Sequence, residues 1–147
     1  KIVTGGQNIN VSLDNVQVSG GIRGIVIDAT AGGFARISIS NSSFTNISGP
    51  AITADSNAGY ARLYLKNVEM TNNGIGLNTY GPKTIAWMTQ SVIAGNGTGV
   101  VRATGAQVYS YKDNQIFNNT VDGTPLPASP TPVQSMPSGE IASAAGR

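Results

Sequence analysis

The chain has 147 residues and contains neither cysteine nor histidine. This length suits one domain, and the composition excludes a disulfide framework, thiolate chemistry, and the commonest metal ligand and general base. Only 11% of the residues are charged and the net charge is +2, so we expect no nucleic-acid partner. No apolar run reaches the ~20 residues that cross a bilayer, and we expect no membrane span.

The first predicted strand belongs to a repeat. Val11 and Leu13 alternate with Ser12 and Asp14, which is the period of a strand with one buried face, and Asn15 ends the segment. Similar segments recur at nearly constant intervals along the chain, and their equivalent positions are Asn15, Asn41, Asn67, Gln90 and Asp113. Five copies predict a repeat architecture.

Two further apolar segments follow the first strand in each copy. The second carries one large apolar residue, at Val18, Phe44, Met70, Ile93 and Ile116. The third is a short apolar patch, at 25–27, 51–52, 75–77 and 100–101. Glycine, asparagine and serine separate the segments, which favours strands over helices. Because one such unit cannot bury its apolar side alone, the copies should stack. We predict an all-β, single-stranded parallel β-helix of about five coils, on the order of 24 Å long.

Asparagines recur at the predicted corners. Asn15, Asn41, Asn67, Gln90 and Asp113 should form one column of side chains along the stack. Asn73, Asn96 and Asn119 should form a second column at the next corner. Side-chain amides can hydrogen-bond along such a column, and asparagine tolerates the left-handed conformation of a sharp turn. We interpret both columns as structural.

Alternation places three columns of side chains on the outer face of the first strands. The central column reads Ser12, Ser38, Tyr64, Trp87 and Ser110. Its neighbours are Asn10, Arg36, Arg62, Ile85 and Val108 on one side, and Asp14, Ser40, Lys66, Thr89 and Lys112 on the other. By the same alternation, Tyr109 and Tyr111 should point inward and plug the last coil.

The candidate binding residues lie on this face. Tyr64 over Trp87 stands beside Arg36, Arg62 and Lys66, a group of rings and cations that suits an acidic sugar. Trp, Tyr and Arg are equally favoured at subunit interfaces. A third alternative is cover by the tail of the chain, which outward Ile85 and Val108 would favour.

Catalytic groups are scarce. Asp28 and Asp55 are separated by about one repeat and should be neighbours on adjacent coils, where paired carboxylates could serve hydrolysis or begin a calcium site. No third carboxylate converges on them, so we interpret them as solvated turn residues. We assign no catalytic residue, metal ligand or cofactor.

The composition changes after residue 123. Residues 1–123 form the predicted β-helix domain, in which residues 1–6 can add only a partial strand. Residues 124–147 form a tail rich in proline and serine, which favours an extended conformation along the β-helix or a neighbouring subunit. The apolar residues expected to anchor this tail at a subunit interface are Leu126, Val133, Met136 and Ile141.

The chain resembles the right-handed parallel β-helix repeat proteins of the pectin-lyase-like superfamily. The resemblance covers about residues 9–122 and is carried by I-x-I-x-N-x-x-F-x-N at 37–46, N-N-G-I-G-L at 72–77, and the segment 108–125, which is similar to the last coil of short secreted bacterial members. It implies a right-handed coil, secretion, and a polysaccharide groove on the outer face of the first strands. Because this fold hosts enzymes, lectins, adhesins and structural proteins, it leaves the activity open.

Two functions remain from the sequence. The first is a non-enzymatic extracellular unit that assembles with copies of itself through its tail. The alternative is a module that binds or acts on an acidic polysaccharide. The absence of an initiator methionine and the low charge agree with a processed, secreted chain.

Overall fold

The structure is a computed structural model that describes residues 1–123 and 126–128. Of the four predicted tail anchors, Leu126 falls within this range, whereas Val133, Met136 and Ile141 lie outside the described residues. The described residues form thirteen strands and no helix, so no helix in this part of the chain could cross a membrane. In chain order the strands are β1 (Ile2–Val3), β2 (Asn8–Asp14), β3 (Gln17–Ser19), β4 (Ile25–Asp28), β5 (Phe34–Thr45), β6 (Pro50–Asp55), β7 (Tyr60–Thr71), β8 (Ile75–Tyr80), β9 (Thr84–Thr89), β10 (Val92–Ala94), β11 (Thr98–Ala103), β12 (Gln107–Ser110) and β13 (Gln115–Phe117).

The strands stack as a parallel β-solenoid of about five coils, as predicted. Coil one contains β2 to β4, coil two β5 and β6, coil three β7 and β8, coil four β9 to β11, and coil five β12 and β13. The first wall consists of β2, residues 34–40 of β5, residues 60–66 of β7, β9 and β12. The second wall continues from it through β3, β10, β13 and the remainder of β5 and β7. The third wall is a separate five-stranded sheet in the order β1-β4-β6-β8-β11.

The core follows the predicted apolar columns. Val18, Phe44, Met70, Ile93 and Ile116 pair in register along the second wall. On coil two, Ile37, Ile39 and Phe44 are completely buried. Burying a side chain of this size stabilises the fold by roughly 1.5–3 kcal/mol relative to leaving it exposed. The inner faces of the three walls therefore form one continuous apolar core along the axis.

The first corner confirms the predicted column for four of its five members. Asn15, Asn41, Asn67 and Gln90 adopt left-handed backbone conformations, with φ between 49° and 55°. The fifth assignment, Asp113, is wrong, because Lys112 takes this conformation at φ 67°. The cause is a change of register between coils four and five. On the first wall Ala86 pairs with Val108, and this interval is one residue shorter than the interval between Val92 and its partner Gln115 on the second wall. The turn that leads into β12 is thus one residue shorter than its equivalent before β9, and the first corner of coil five regains that residue.

The second corner holds the predicted asparagine ladder of Asn73, Asn96 and Asn119. The Asn96 Oδ1 accepts a hydrogen bond from the Asn73 backbone N–H at 2.8 Å, and the Asn96 Nδ2 donates to the Met70 carbonyl at 2.9 Å. The backbone N–H of Asn96 in turn donates to the Asn119 Oδ1 at 3.0 Å. Each amide therefore satisfies main-chain groups of the preceding coil that the tight corner leaves without strand partners.

The two ends of the solenoid are covered to different degrees. At the first coil, β1 pairs with β4 of the third wall, which confirms the predicted partial strand. At coil five, the Ser110 backbone N–H donates to the Pro127 carbonyl at 3.0 Å, and Leu126 packs against the core. The described part of the tail therefore lies against the solenoid of its own chain.

Replacing Asn96 tests the asparagine ladder. Asn96→Ala should lower the free energy of unfolding by about 2–4 kcal/mol, because it leaves a buried N–H and a buried carbonyl without partners. Urea denaturation followed by circular dichroism measures the change. Thr120→Ala, at an exposed position beside the same corner, serves as the control and should change the value by less than about 0.5 kcal/mol. Equal losses in the two variants would contradict the role of the ladder.

Candidate ligand-binding face

The first wall brings the predicted binding residues together on its outer face. Tyr64 pairs with Trp87 in register, and Arg62 lies between Arg36 and Ile85 in the neighbouring column. Lys66 follows Tyr64 on the same strand and pairs with Ser40 and Thr89. All five predicted residues therefore share one surface: Tyr64, Trp87, Arg36, Arg62 and Lys66.

In coil five, at one edge of this face, the side chains point to other sides than predicted. Trp87 pairs with Tyr109, not Ser110, so Tyr109 points outward and Val108 is completely buried in the core. Tyr111 is also outside, with 44% of its surface exposed. The prediction that both tyrosines plug the last coil is wrong, as is the outward assignment of Val108. Both errors follow from the loss of one residue in the turn before β12, because a strand alternates faces at every residue.

The outward rings form a stacked column. The ring centroids of Tyr64 and Trp87 are 4.9 Å apart with planes inclined by 6°, and those of Trp87 and Tyr109 are 6.3 Å apart at 24°. Adjacent parallel strands lie about 4.8 Å apart, which brings rings on successive coils into stacking distance. Both faces of Trp87 are therefore covered by its neighbours. Tyr64 is covered on one side by Trp87, and its other face is directed towards the small Ser38 of coil two.

A second group of rings on this wall contacts the guanidinium groups of Arg36 and Arg62. Phe34 stacks on Tyr60 with centroids 5.6 Å apart. The Arg62 guanidinium carbon lies 5.6 Å from the Phe34 centroid and 5.7 Å from the Trp87 centroid, and that of Arg36 lies 5.0 Å from Phe34. The cation–π contacts position both guanidinium groups along the wall.

Sequence reasoning missed several members of this face. Phe34 and Tyr60 occupy equivalent positions on adjacent coils and pair in register, so the repeat itself contained the signal. Lys83, whose Nζ lies 5.0 Å from the Tyr60 centroid, belongs to a turn that the strand pattern does not cover. The outward positions of Tyr109 and Tyr111 depended on the register of coil five.

Two shallow depressions lie on either side of Tyr64. The lysine depression has a volume of about 360 Å³ and is lined by Ser38, Tyr64, Leu65, Lys66, Trp87, Thr89 and Tyr111. The serine depression has a volume of about 400 Å³ and is lined by Asn10, Val11, Ser12, Arg36, Ser38 and Tyr64. Each contains one cation, and neither set of lining residues includes a carboxylate. The surface is therefore suited to an anionic ligand that also offers apolar faces.

The nearest carboxylate on coil one is engaged at the first corner. The Asp14 Oδ1 accepts hydrogen bonds from the Ser40 hydroxyl at 2.7 Å and the Asn41 Nδ2 at 2.8 Å. These bonds lower the pKa of Asp14, with the Ser40 hydroxyl as the largest cause. The Asn67 Nδ2 donates to the Asn41 Oδ1 at 3.0 Å, so Asp14 ends a hydrogen-bonded amide column. Asp14 thus has a structural role beside the face.

Asp28 and Asp55 pair in register on the third wall, as their spacing predicted. Asp28 binds the Lys1 ammonium at 2.8 Å and accepts from the Thr30 hydroxyl at 2.6 Å. The Lys1 hydrogen bond, followed by those from Thr30, lowers the pKa of Asp28 to about 2. Within the described residues, no group of three carboxylate, histidine or cysteine side chains could hold a metal ion. Asp28 therefore links Lys1, which precedes β1, to β4 within the third wall.

The lowered pKa of Asp28 predicts an acid-sensitive contribution to stability. Its folded pKa of about 2 lies below the ordinary value of 3.8, so this contribution is complete above about pH 5 and is lost as the pH falls through 2. Asp28→Asn should therefore unfold at lower urea concentration than the parent protein near pH 6, and most of this difference should be lost by about pH 2. Lys1→Gln removes the main cause of the lowered pKa of Asp28. In that variant, stability should therefore depend less on pH over the same range than it does in the parent protein. A difference that is constant across this range would contradict the contribution of the ion pair.

Comparisons of the chain with protein-family models, curated proteins and solved structures give no match. The β-solenoid is therefore identified by its strand register, and membership of the pectin-lyase-like superfamily stays a prediction.

Proposed function

We propose that the outer face of the first wall binds an acidic glycan outside the cell. The observation that carries this proposal is the combination of a stacked row of partly exposed rings with Arg36, Arg62 and Lys66 on one surface. The exposed ring edges and the terminal face of Tyr64 offer apolar contacts to the C–H groups of a sugar, and uronate or sulfate groups pair with guanidinium and ammonium groups. The two depressions extend the surface from coil one to coil five, a distance of about 19 Å at ~4.8 Å per coil.

The corrected register favours this function over cover by the tail. Outward Val108 was part of the argument for a covered apolar surface, and that residue lies in the core. Its place in the column is taken by Gln107, which is exposed. The described tail residues contact β12 at its Ser110 end. Tyr64 and Tyr111, at 41% and 44% exposure, remain accessible to a ligand.

Glycan titrations test this proposal. Oligogalacturonate and sulfated oligosaccharides should bind in calorimetry, whereas neutral oligosaccharides of equal length should bind at least about tenfold more weakly because they lack the anionic groups. Lys66→Ala should weaken binding of the acidic ligand by about three- to tenfold and make it less sensitive to salt. Lys112→Ala, at an exposed position in the coil-five corner, is the matched control. Equal binding of neutral and acidic ligands, or none of either, would overturn the proposal.

Self-assembly is the second candidate function. Phe117 and Val121 are 49% and 55% exposed on coil five, and such apolar side chains are favourable contact points for a second copy. The predicted anchors Val133, Met136 and Ile141 belong to the same proposal, whereas Leu126 packs against the core of its own chain.

Sedimentation velocity at increasing protein concentration tests self-assembly. The parent protein should form oligomers, and the double substitution Phe117→Ser and Val121→Ser should shift the distribution towards monomer because it removes apolar contact area. Thr120→Ser, between the same positions, is the control. A parent protein that stays monomeric at all concentrations would contradict this function.

A further inference from the structure

The column of outward rings ends at Tyr64, although the column of strand positions continues for two more coils. Tyr109, Trp87 and Tyr64 occupy coils five, four and three, and the same positions on coils two and one are Ser38 and Ser12. Because the two serine side chains are short, they leave the second face of Tyr64 adjoining the serine depression of about 400 Å³. This face is the end of the stack at which a further ring can be added.

We propose that the serine depression binds a planar aromatic carboxylate, with its ring stacked on the free face of Tyr64. The protein makes the same kind of contact on the opposite face of Tyr64, where the Trp87 ring centroid lies 4.9 Å away and the ring planes are inclined by 6°. A ligand ring above Ser38 continues the column at the spacing that the coils impose. Offset stacking of this kind is favourable beyond the area that it buries.

Arg36 supplies the charge that selects a carboxylate. Its guanidinium is held over the Phe34 ring at 5.0 Å and lines the serine depression together with Asn10 and Val11. A guanidinium that stacks on a ring through its face keeps its N–H groups at the edge, where they pair with a carboxylate in a fixed fork. No carboxylate lines the depression to compete for these donors.

The size of the depression accommodates a compact aromatic ligand. A volume of about 400 Å³ is near the lower end of small-molecule sites. Its polar side chains besides Arg36 are Asn10, Ser12, Ser38 and Tyr64. This inference goes beyond the proposed function, since it names a different ligand class and does not require glycan binding.

An NMR titration with benzoate tests the site. Benzoate should saturate the protein, with the largest amide shifts at Ser12 and Ser38 from the ring current of the stacked ligand. Cyclohexanecarboxylate, which has the same charge but no aromatic ring, should bind at least about tenfold more weakly, and benzamide should also bind more weakly because it lacks the charge. Arg36→Gln should weaken benzoate binding by about tenfold and leave benzamide binding nearly unchanged.

Two further variants separate the site from the rest of the face. Tyr64→Ala should weaken benzoate binding by at least about tenfold, whereas Tyr111→Ala, which removes an equally exposed tyrosine outside the serine depression, should not. Ser38→Tyr should extend the stacked column with a protein ring and abolish benzoate binding while Tyr64 is retained. Equal binding of benzoate and cyclohexanecarboxylate, unchanged binding in a folded Ser38→Tyr variant, or no saturable binding would overturn this inference. Glycan titrations of Ser38→Tyr and Lys66→Ala test the glycan proposal separately, so that a failure of benzoate binding can be distinguished from a failure of glycan binding.

Discussion

The constraint on which the structure depends is the fixed spacing between hydrogen-bonded parallel strands, about 4.8 Å from one coil to the next. Every position of a coil lies directly over its equivalent in the coil before, so that whatever residue type recurs at one position forms a column. In the interior the columns are apolar and form a continuous core. At the second corner the column is asparagine, and the side-chain amides satisfy main-chain groups that the sharp turn leaves without strand partners.

The same spacing determines how the aromatic side chains are presented. Rings that stand one coil apart stack on one another, and stacking covers the faces that a flat sugar platform would expose. Trp87, which looks like the centre of a binding platform in the sequence, is therefore enclosed between two tyrosines. The chemically available parts of the column are its edges and the terminal face of Tyr64. A binding surface on a solenoid thus differs in kind from one that displays isolated aromatic rings.

Charge and aromatic surface are coupled on the first wall. Arg62 contacts Phe34 and Trp87, so its guanidinium is positioned by two rings on different coils. Restraining a long side chain in this way reduces the conformational entropy that binding must remove. Two carboxylates of the chain are engaged elsewhere: Asp14 at the first corner, and Asp28 with Lys1 on the third wall. This separation of charge leaves the depressions on the first wall without competing anions among their lining residues.

The sequence by itself determined the architecture and most of the candidate face. The regular spacing of the copies and the alternation of apolar residues were enough to predict a parallel solenoid, the columns of Asn73, Asn96 and Asn119, and the outward group around Tyr64 and Trp87. These predictions succeeded because strand alternation and stacking are local and periodic. Only the tertiary structure decided the faces of coil five. There the turn before β12 is one residue shorter than the turn before β9, and the missing residue returns at the corner where Lys112 adopts the left-handed conformation. A shift of one residue exchanges the inner and outer faces of a strand, so Val108 entered the core and Tyr109 joined the rings outside. Which corner absorbs an extra residue depends on packing between coils, and neighbouring polar residues such as Lys112 and Asp113 do not reveal it.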